Sequence, residues 1–556
     1  MGVWVITRVR QVFQLELPLR VLFENPTVAA MAEAIEEQKR AANKVRSRQI
    51  PRAPRAEEPA LSITQESWLL REWAEGLYSV KGRVMNMHTA HRLRGPLDMA
   101  ALERALNEIV RRHESLRSTF PKSKGLLSFD FLRPVFRLMM ESKKARKAMS
   151  RKPHAPRRPL KALGEPYIRI LPKVVLPLPV VDLRGVNESE REAECQRMVY
   201  EASRKPFDHE RGPLVRALLL RTGDDEHILC VVLNHYVSDG WSMNVLMNEI
   251  EKLYGAFATG RESPLPELPI QYRDYALWQR KWLSGEALES MVSYWKQKLD
   301  KLGLHPVLEM PFARGEATSA DYHGSGRIES VVVPGEFHQS LKALSQREGV
   351  TLFMTLLAVL QVMLRHYTGK DQIGVFSSFV NRSRPETQGL IGWFNSFHVL
   401  SADLSGDPRF TDLLRQAREA VLGGYEHQEI PFPLLVMILA TQFRDYDLPT
   451  LNAPYVYFDM RPQPNSTRQL HDLSVTPFNL SEVMKEGSID AGFEFYGTEQ
   501  DDGLKLTVKY PVEKYAAEDI GAMLGLYRSL LERVASGRDA RVSELLAVAR
   551  GDAAAA

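Results

Sequence analysis

The stretch Ile228-Leu-Cys-Val-Val-Leu-Asn-His-Tyr-Val-Ser-Asp-Gly-Trp-Ser242 is the most informative in the chain. Its first six residues form a short, wholly apolar run, the pattern of a strand buried on both faces. From Trp241 onward the residues favour a helix, with Ser242 as its expected cap. Between strand and helix lies the loop Asn234 to Gly240. Such a loop can hold a side chain rigidly while presenting it to a cavity. His235 stands at that position, and imidazole is the side chain best suited to move protons near neutral pH. Asp239 follows four residues later, a carboxylate suited to backbone donors or to an Arg partner. Gly240 permits a tight bend and the close approach of a ligand. Taken alone, a His near an Asp is more often structural than catalytic, so the neighbouring sequence must decide.

Beyond this stretch the chain of 556 residues reads as mixed α and β from Leu61 onward. Met99 to His113 has helical periodicity, and Val350 to His366 reads as a buried helix. Phe493 to Tyr496 and Leu504 to Tyr510 read as hairpin strands around Thr498-Glu-Gln-Asp-Asp-Gly503. A last helix spans about Ala517 to Val534. Residues 1–40 read as helices, with Thr27 capping the one that begins at Val28. Ala41 to Ala60, rich in Arg, Ala, Pro and Glu, reads as a solvated linker. Residues 549–556 are expected to be a disordered tail.

Composition is that of an ordinary globular protein, with 44% hydrophobic and 26% charged residues. The two cysteines, Cys195 and Cys230, lie in no metal-ligand spacing, so neither a disulfide framework nor a zinc site is expected. A reducing cytosol fits this usage, and no apolar run is long enough for a membrane span. The net charge of +4 conceals a strongly basic segment, Pro121 to Leu163, with thirteen Lys or Arg against Asp130 and Glu141. It reads as a solvated insertion, with too few aromatics and no motif for nucleic acid. Other chemistries lack their signatures: there is no GxSxG, HExxH, Walker A or strand-borne GxGxxG pattern.

At this point the residues match a family. Asn234-His-Tyr-Val-Ser-Asp-Gly-Trp-Ser242 resembles the His-His-x-x-x-Asp-Gly signature of nonribosomal peptide synthetase condensation domains, within the chloramphenicol acetyltransferase-like superfamily. Further blocks follow in the family's order. Leu61-Ser-Ile-Thr-Gln-Glu-Ser-Trp-Leu-Leu70 looks like a degenerate opening motif, and Arg112-His-Glu-Ser-Leu-Arg-Ser-Thr-Phe120 is close to the second. Tyr272-Arg-Asp-Tyr-Ala-Leu-Trp278, Asn381-Arg-Ser-Arg-Pro-Glu386, Leu390-Ile-Gly-Trp-Phe394 and His427-Gln-Glu-Ile-Pro-Phe432 resemble later blocks. Residues 1–40 resemble the C-terminal part of a peptidyl carrier domain. The carrier's Gly-Gly-x-Ser attachment motif is not among them.

The resemblance implies two α/β sandwich lobes forming a V around a central tunnel: an N-lobe over 59–285 with the insertion 121–163, and a C-lobe over 286–548, after a linker over 41–58. It implies amide formation between a carrier-bound acyl or peptidyl thioester donor and a carrier-bound aminoacyl acceptor. His235 would act at the reacting amine, as a base or by orienting it and stabilising the tetrahedral intermediate. Asp239 would form a buried ion pair with an Arg of the other lobe, Arg382 before Arg384. Gly240 would give access to the substrate arm. Asn234 stands where the family usually has its first His, as hydrogen-bonding support. His113, His398 and His427 are expected to be structural or on the surface. No covalently bound cofactor is expected on this stretch; substrates would arrive on the phosphopantetheine arms of partner carrier domains, loaded by adenylation domains of other modules. Neither nucleic acid nor membrane is an expected partner. The competing readings are a non-catalytic docking member of the family and a related ester-forming acyltransferase.

Overall fold

The computed structural model describes residues 2–13, 15, 17–41, 49–76, 85–121, 167–302, 310–314, 325–442, 455–461, 467–478, 480, 486–488 and 492–547. The basic insertion from Lys122 onward and the tail 549–556 lie outside the described residues.

The apolar run lies within strand Glu226–Asn234, buried from His227 to Asn234. The reason for a continuous rather than alternating apolar pattern is visible in its two faces. Leu229, Val231 and Leu233 enter a core built with helices Met99–Arg112 and Gly240–Ala258. Ile228, Cys230 and Val232 enter a second core with Cys195 and Val199 of helix Glu188–Arg204. Burial pushes the thiols of Cys195 and Cys230 up to about 11 and about 12, so both behave as small apolar side chains. The strand pairs antiparallel with Asn86–Arg94 on one side and Val215–Arg221 on the other.

A second sheet of seven strands among the described residues wraps the helix Leu352–Thr368. Every residue from Met354 to Leu364 of that helix is buried. Its buried polar members are partly satisfied: Thr355 Oγ1 lies 2.7 Å from Ser345 Oγ, and Gln361 Nε2 donates to Leu400 O at 3.1 Å while Gln361 Oε1 has no partner among the described residues. Thr351 caps its start, and Gly369 ends it at φ +66°, a left-handed conformation that favours glycine. The expected hairpin pairs Phe493–Gln500 with Gly503–Pro511, so its turn is only Asp501-Asp502 and the strands are longer than the apolar pattern indicates. Among the described residues no single helix is long and apolar enough to cross a membrane.

Two departures from sequence order matter. Strands Arg468–Leu470 and Leu473–Pro477 fall in the second half of the chain, yet they extend the first sheet beyond Asn86–Arg94. Leu473 and Val475 are buried there, in the first core rather than with the second sheet. The linker also departs. Its described part, from Gln49, docks on helix Tyr272–Trp282 instead of standing in solvent. Ile50 is buried, and Ala53 N–H donates to Asp274 Oδ1 at 3.0 Å. The described residues before 42 include three helices, Gly2–Phe13, Arg20–Glu24 and Val28–Ala41, with Thr27 Oγ1 accepting Ala30 N–H at 3.2 Å. Ile6, Leu17, Met31 and Ile35 make a small core completed by Leu422 of the main body. Arg20 reaches Glu419 and Glu426 at 2.9 and 3.0 Å.

Two outcomes follow from these burials. Val475→Asp places an unpaired charge in the first core and should lower the unfolding free energy by about 3–5 kcal/mol. Ser474→Asp, on the half-buried face, should cost about 1 kcal/mol or less. Urea titration of both variants measures the contrast. The second outcome concerns His398, fully buried and stacked on Trp295 with ring centroids 4.2 Å apart. Desolvation pushes its pKa down to about 3. The unfolded chain protonates this imidazole near pH 6.5 and the folded chain only near 3, so its stabilising neutrality is lost as pH falls across that window. His398→Phe should flatten the acid limb of stability against pH.

Candidate active site at the His235 turn

Asn234 ends its strand with every polar group engaged. Its Oδ1 accepts Tyr236 N–H at 3.0 Å, and its Nδ2 donates to Met85 O at 3.1 Å and Asn86 Oδ1 at 3.3 Å. These bonds set the tight turn His235–Val237. His235 N–H donates to Met85 O at 2.8 Å, so the turn is held against the neighbouring strand. Gln65 Nε2 donates to Tyr236 O at 2.7 Å from helix Ile63–Gly76, which gives the degenerate opening motif a supporting role. The His235 ring is half-buried and rests against Trp393, with centroids 4.6 Å apart.

Asp239 is the N-cap of helix Gly240–Ala258. Its Oδ1 accepts Ser242 N–H at 2.8 Å, and its own N–H donates to Ser242 Oγ at 3.2 Å. The cap is therefore Asp239, and Ser242 closes the capping box rather than opening the helix. The same carboxylate meets Arg382 across the molecule: Nη2 lies 2.9 Å from Oδ1, with both side chains buried. Arg382 Nη1 also donates to the carbonyls of Thr387 and Leu390 at 2.6 and 2.7 Å, and Phe394 N–H donates to Asp239 Oδ2 at 3.1 Å. Burial lowers the Arg382 pKa and the Asp239 charge opposes that. Arg384 goes elsewhere, stacking over Trp278 at 4.5 Å.

Gly240 is exposed as the first residue of its helix, without positive φ, and a Cβ built on it would meet nothing within 4 Å. Neither its backbone nor its surroundings therefore require glycine there. Gly392 is the opposite case, since a Cβ there would overlap the Tyr272 ring. Tyr272 OH in turn donates to Trp393 O at 2.5 Å. His113 is buried. Its Nδ1 accepts Ile391 N–H at 3.2 Å, so the other nitrogen carries the proton that meets Glu249 Oε2 at 3.1 Å. His427 stacks on Tyr294 at 3.9 Å. Sequence reasoning missed Glu249 and the hub role of Ser242; neither carries a local signal beyond a helical position.

His235, Thr64 and Trp68 from the first half of the chain meet Trp393, Phe432 and Glu494 from the second around a cavity of about 270 Å³. Among the described residues no cluster of His, Cys, Asp or Glu has metal-binding geometry.

The Asp239–Arg382 pair is open to a double-mutant cycle. Arg382→Ala leaves a buried carboxylate uncompensated and should cost about 3–5 kcal/mol in urea unfolding. Asp239→Asn combined with Arg382→Met should cost less than the two single changes added together.

A family model described as the condensation domain matches residues 155–555. A linear gramicidin synthase polypeptide of Brevibacillus parabrevis is 36% identical over 531 residues, covering 95% of this chain and 6% of that one. Chondramide synthase of Chondromyces crocatus is 34% identical over 461 residues, covering 83% and 10%. The chain thus spans about a tenth or less of these curated relatives. Among solved structures, the X-domain in its complex with OxyB from teicoplanin biosynthesis superposes with a TM-score of 0.67 at 22% identity, over 89% of this chain and 97% of that one. The first condensation domain of the calcium-dependent antibiotic synthetase gives 0.63 at 17%, over 88% and 99%. These two establish the fold. With its two sheets and its motif order, the chain belongs to the condensation-domain family.

Proposed function

We propose that this chain joins a carrier-bound acyl or peptidyl donor to a carrier-bound aminoacyl acceptor, with His235 at the reacting amine. The observation that carries the reading is His235 on a rigid turn, half-buried, lining a cavity to which both halves of the chain contribute. The acceptor nitrogen attacks the donor thioester carbonyl. The C–N bond forms, the C–S bond breaks, and the donor thiol leaves with the proton that the amine loses. His235 serves this step as proton acceptor or by orienting the amine and stabilising the tetrahedral intermediate. Holding both substrates on tethered arms turns a bimolecular encounter into an oriented one. Asp239 and Arg382 shape the site without touching substrate, and open space at Gly240 admits an arm.

The substrates arrive on phosphopantetheine arms of donor and acceptor carrier domains, charged by adenylation domains of other modules. Residues 1–40 are read as the C-terminal part of such a carrier, supported by three helices with a shared core. One observation favours a second reading, a docking member without turnover: Asn234 stands in place of the family's first His. The neighbouring X-domain fold was solved with a second protein, OxyB.

Two carrier proteins, each loaded with an aminoacyl-phosphopantetheine, are mixed with the chain and dipeptidyl thioester is followed by mass spectrometry. Product should form, and His235→Ala should lower its rate by about 100-fold or more. Absence of product across a varied substrate panel, with stable partner binding, would favour the docking reading. If His235→Ala retains full activity, the role given to His235 is wrong.

A further inference from the structure

The walls of the His235 cavity are mostly aromatic, with Trp68, Trp393, Phe397, Phe432 and Tyr455 among them. Among the described lining residues, Glu494 is the one carboxylate. It stands on strand Phe493–Gln500, an interior strand of the second sheet, so its backbone is held on both sides. Its close partners gather on one oxygen. Tyr496 OH donates to Oε2 at 3.0 Å, and Lys509 Nζ lies 3.9 Å from that same atom. No donor among the described residues reaches Oε1. Arg461 covers the Tyr496 ring at 3.5 Å, and neither Arg461 nor Lys509 lines the cavity. The two cations stand behind the wall, one on Oε2 and one on the Tyr496 ring. Glu494 lines the cavity with Oε1 unpartnered among the described residues.

A carboxylate oxygen framed by aromatic faces has the chemistry that recognises an ammonium group. The oxygen accepts a charge-assisted hydrogen bond, and the rings attract the cation through their negative faces. At about 270 Å³ the space is below the usual size of a small-molecule pocket, and suits one long side chain rather than two.

We infer that this cavity selects a carrier-bound residue with a cationic side chain of lysine type, and that Glu494 is the residue that reads its charge. The inference rests on the proposed function above, and its test separates the two. A lysyl residue and a norleucyl residue are attached to carrier protein through a non-hydrolysable amide in place of the thioester. Binding to the full chain is followed by tryptophan fluorescence, because Trp68 and Trp393 line the cavity. The lysyl carrier should bind about tenfold more tightly than the norleucyl carrier. Glu494→Gln should bring that ratio to about one through loss of lysyl affinity. Glu494→Asp, which keeps the charge, should retain a preference of several-fold. Equal binding of the two carriers by the unaltered chain would overturn the inference. So would a Glu494→Gln variant that weakens both equally, since that would put Glu494 on the α-amino group both share. Absence of dipeptide from every thioester pair would defeat the amide-forming reading alone and leave the binding ratio to decide this one.

Discussion

Arg382 and Asp239 form an ion pair with almost no access to water. A buried guanidinium is costly unless its donors are used in good geometry. Here convergence at Nη1 and Nη2 offsets much of that cost, and Nε alone has no partner among the described residues. Beyond the carboxylate, Arg382 holds the carbonyls of Thr387 and Leu390, and its plane covers Phe394 at 4.0 Å. Asp239 gives one oxygen to the helix cap and the arginine, and the other to Phe394 N–H. The pair therefore does more than attract. It fixes where the helix after the His235 turn begins, and ties that point to a loop from the other half of the chain.

That loop, Leu390 to Phe394, is where several independent contacts meet. Gly392 N–H reaches Ser242 Oγ at 3.1 Å, Ile391 N–H reaches His113, and Trp393 lies against the His235 ring. Tyr272 packs where Gly392 has no side chain. Each contact comes from a different element, so the loop has little freedom to move without breaking more than one. An imidazole with the role proposed for His235 gains from such surroundings because its position is set before substrate arrives. The crossover of strands Arg468–Leu470 and Leu473–Pro477 into the first sheet adds a second tie between the halves, made of backbone pairing rather than charge.

The substitution at Asn234 can be understood in the same terms. An amide has both donor and acceptor capacity, and here it uses both, toward Met85, Asn86 and Tyr236. The turn that presents His235 is thus supported by a side chain that does not titrate. On the far side of the cavity the second sheet contributes Glu494 and Tyr496, so the chemistry around His235 is set as much by the later half of the chain as by its own motif.

How much of this was legible depends on the range of the interaction. The run Ile228 to Leu233 announces a strand buried on both faces, because burial on alternate sides leaves no polar position in the sequence. His235 on the following turn, Thr27 as a cap and the helix around Leu352 to Leu364 are equally local, and periodicity or cap chemistry reveals them. The ordered motifs identify the family, and through it the partnership of Asp239 with an arginine. Residue order alone therefore specifies most of the elements, the family and the position of the imidazole. The folded arrangement is needed to see that Asp239 rather than Ser242 caps the site helix, that residues near 475 join the first sheet, and that the linker from Gln49 docks. It is needed equally to see that Glu494 shares a cavity with His235. Each of these depends on how groups pack in three dimensions, most of them drawn from distant parts of the chain, and no local pattern of residues encodes which of them meet.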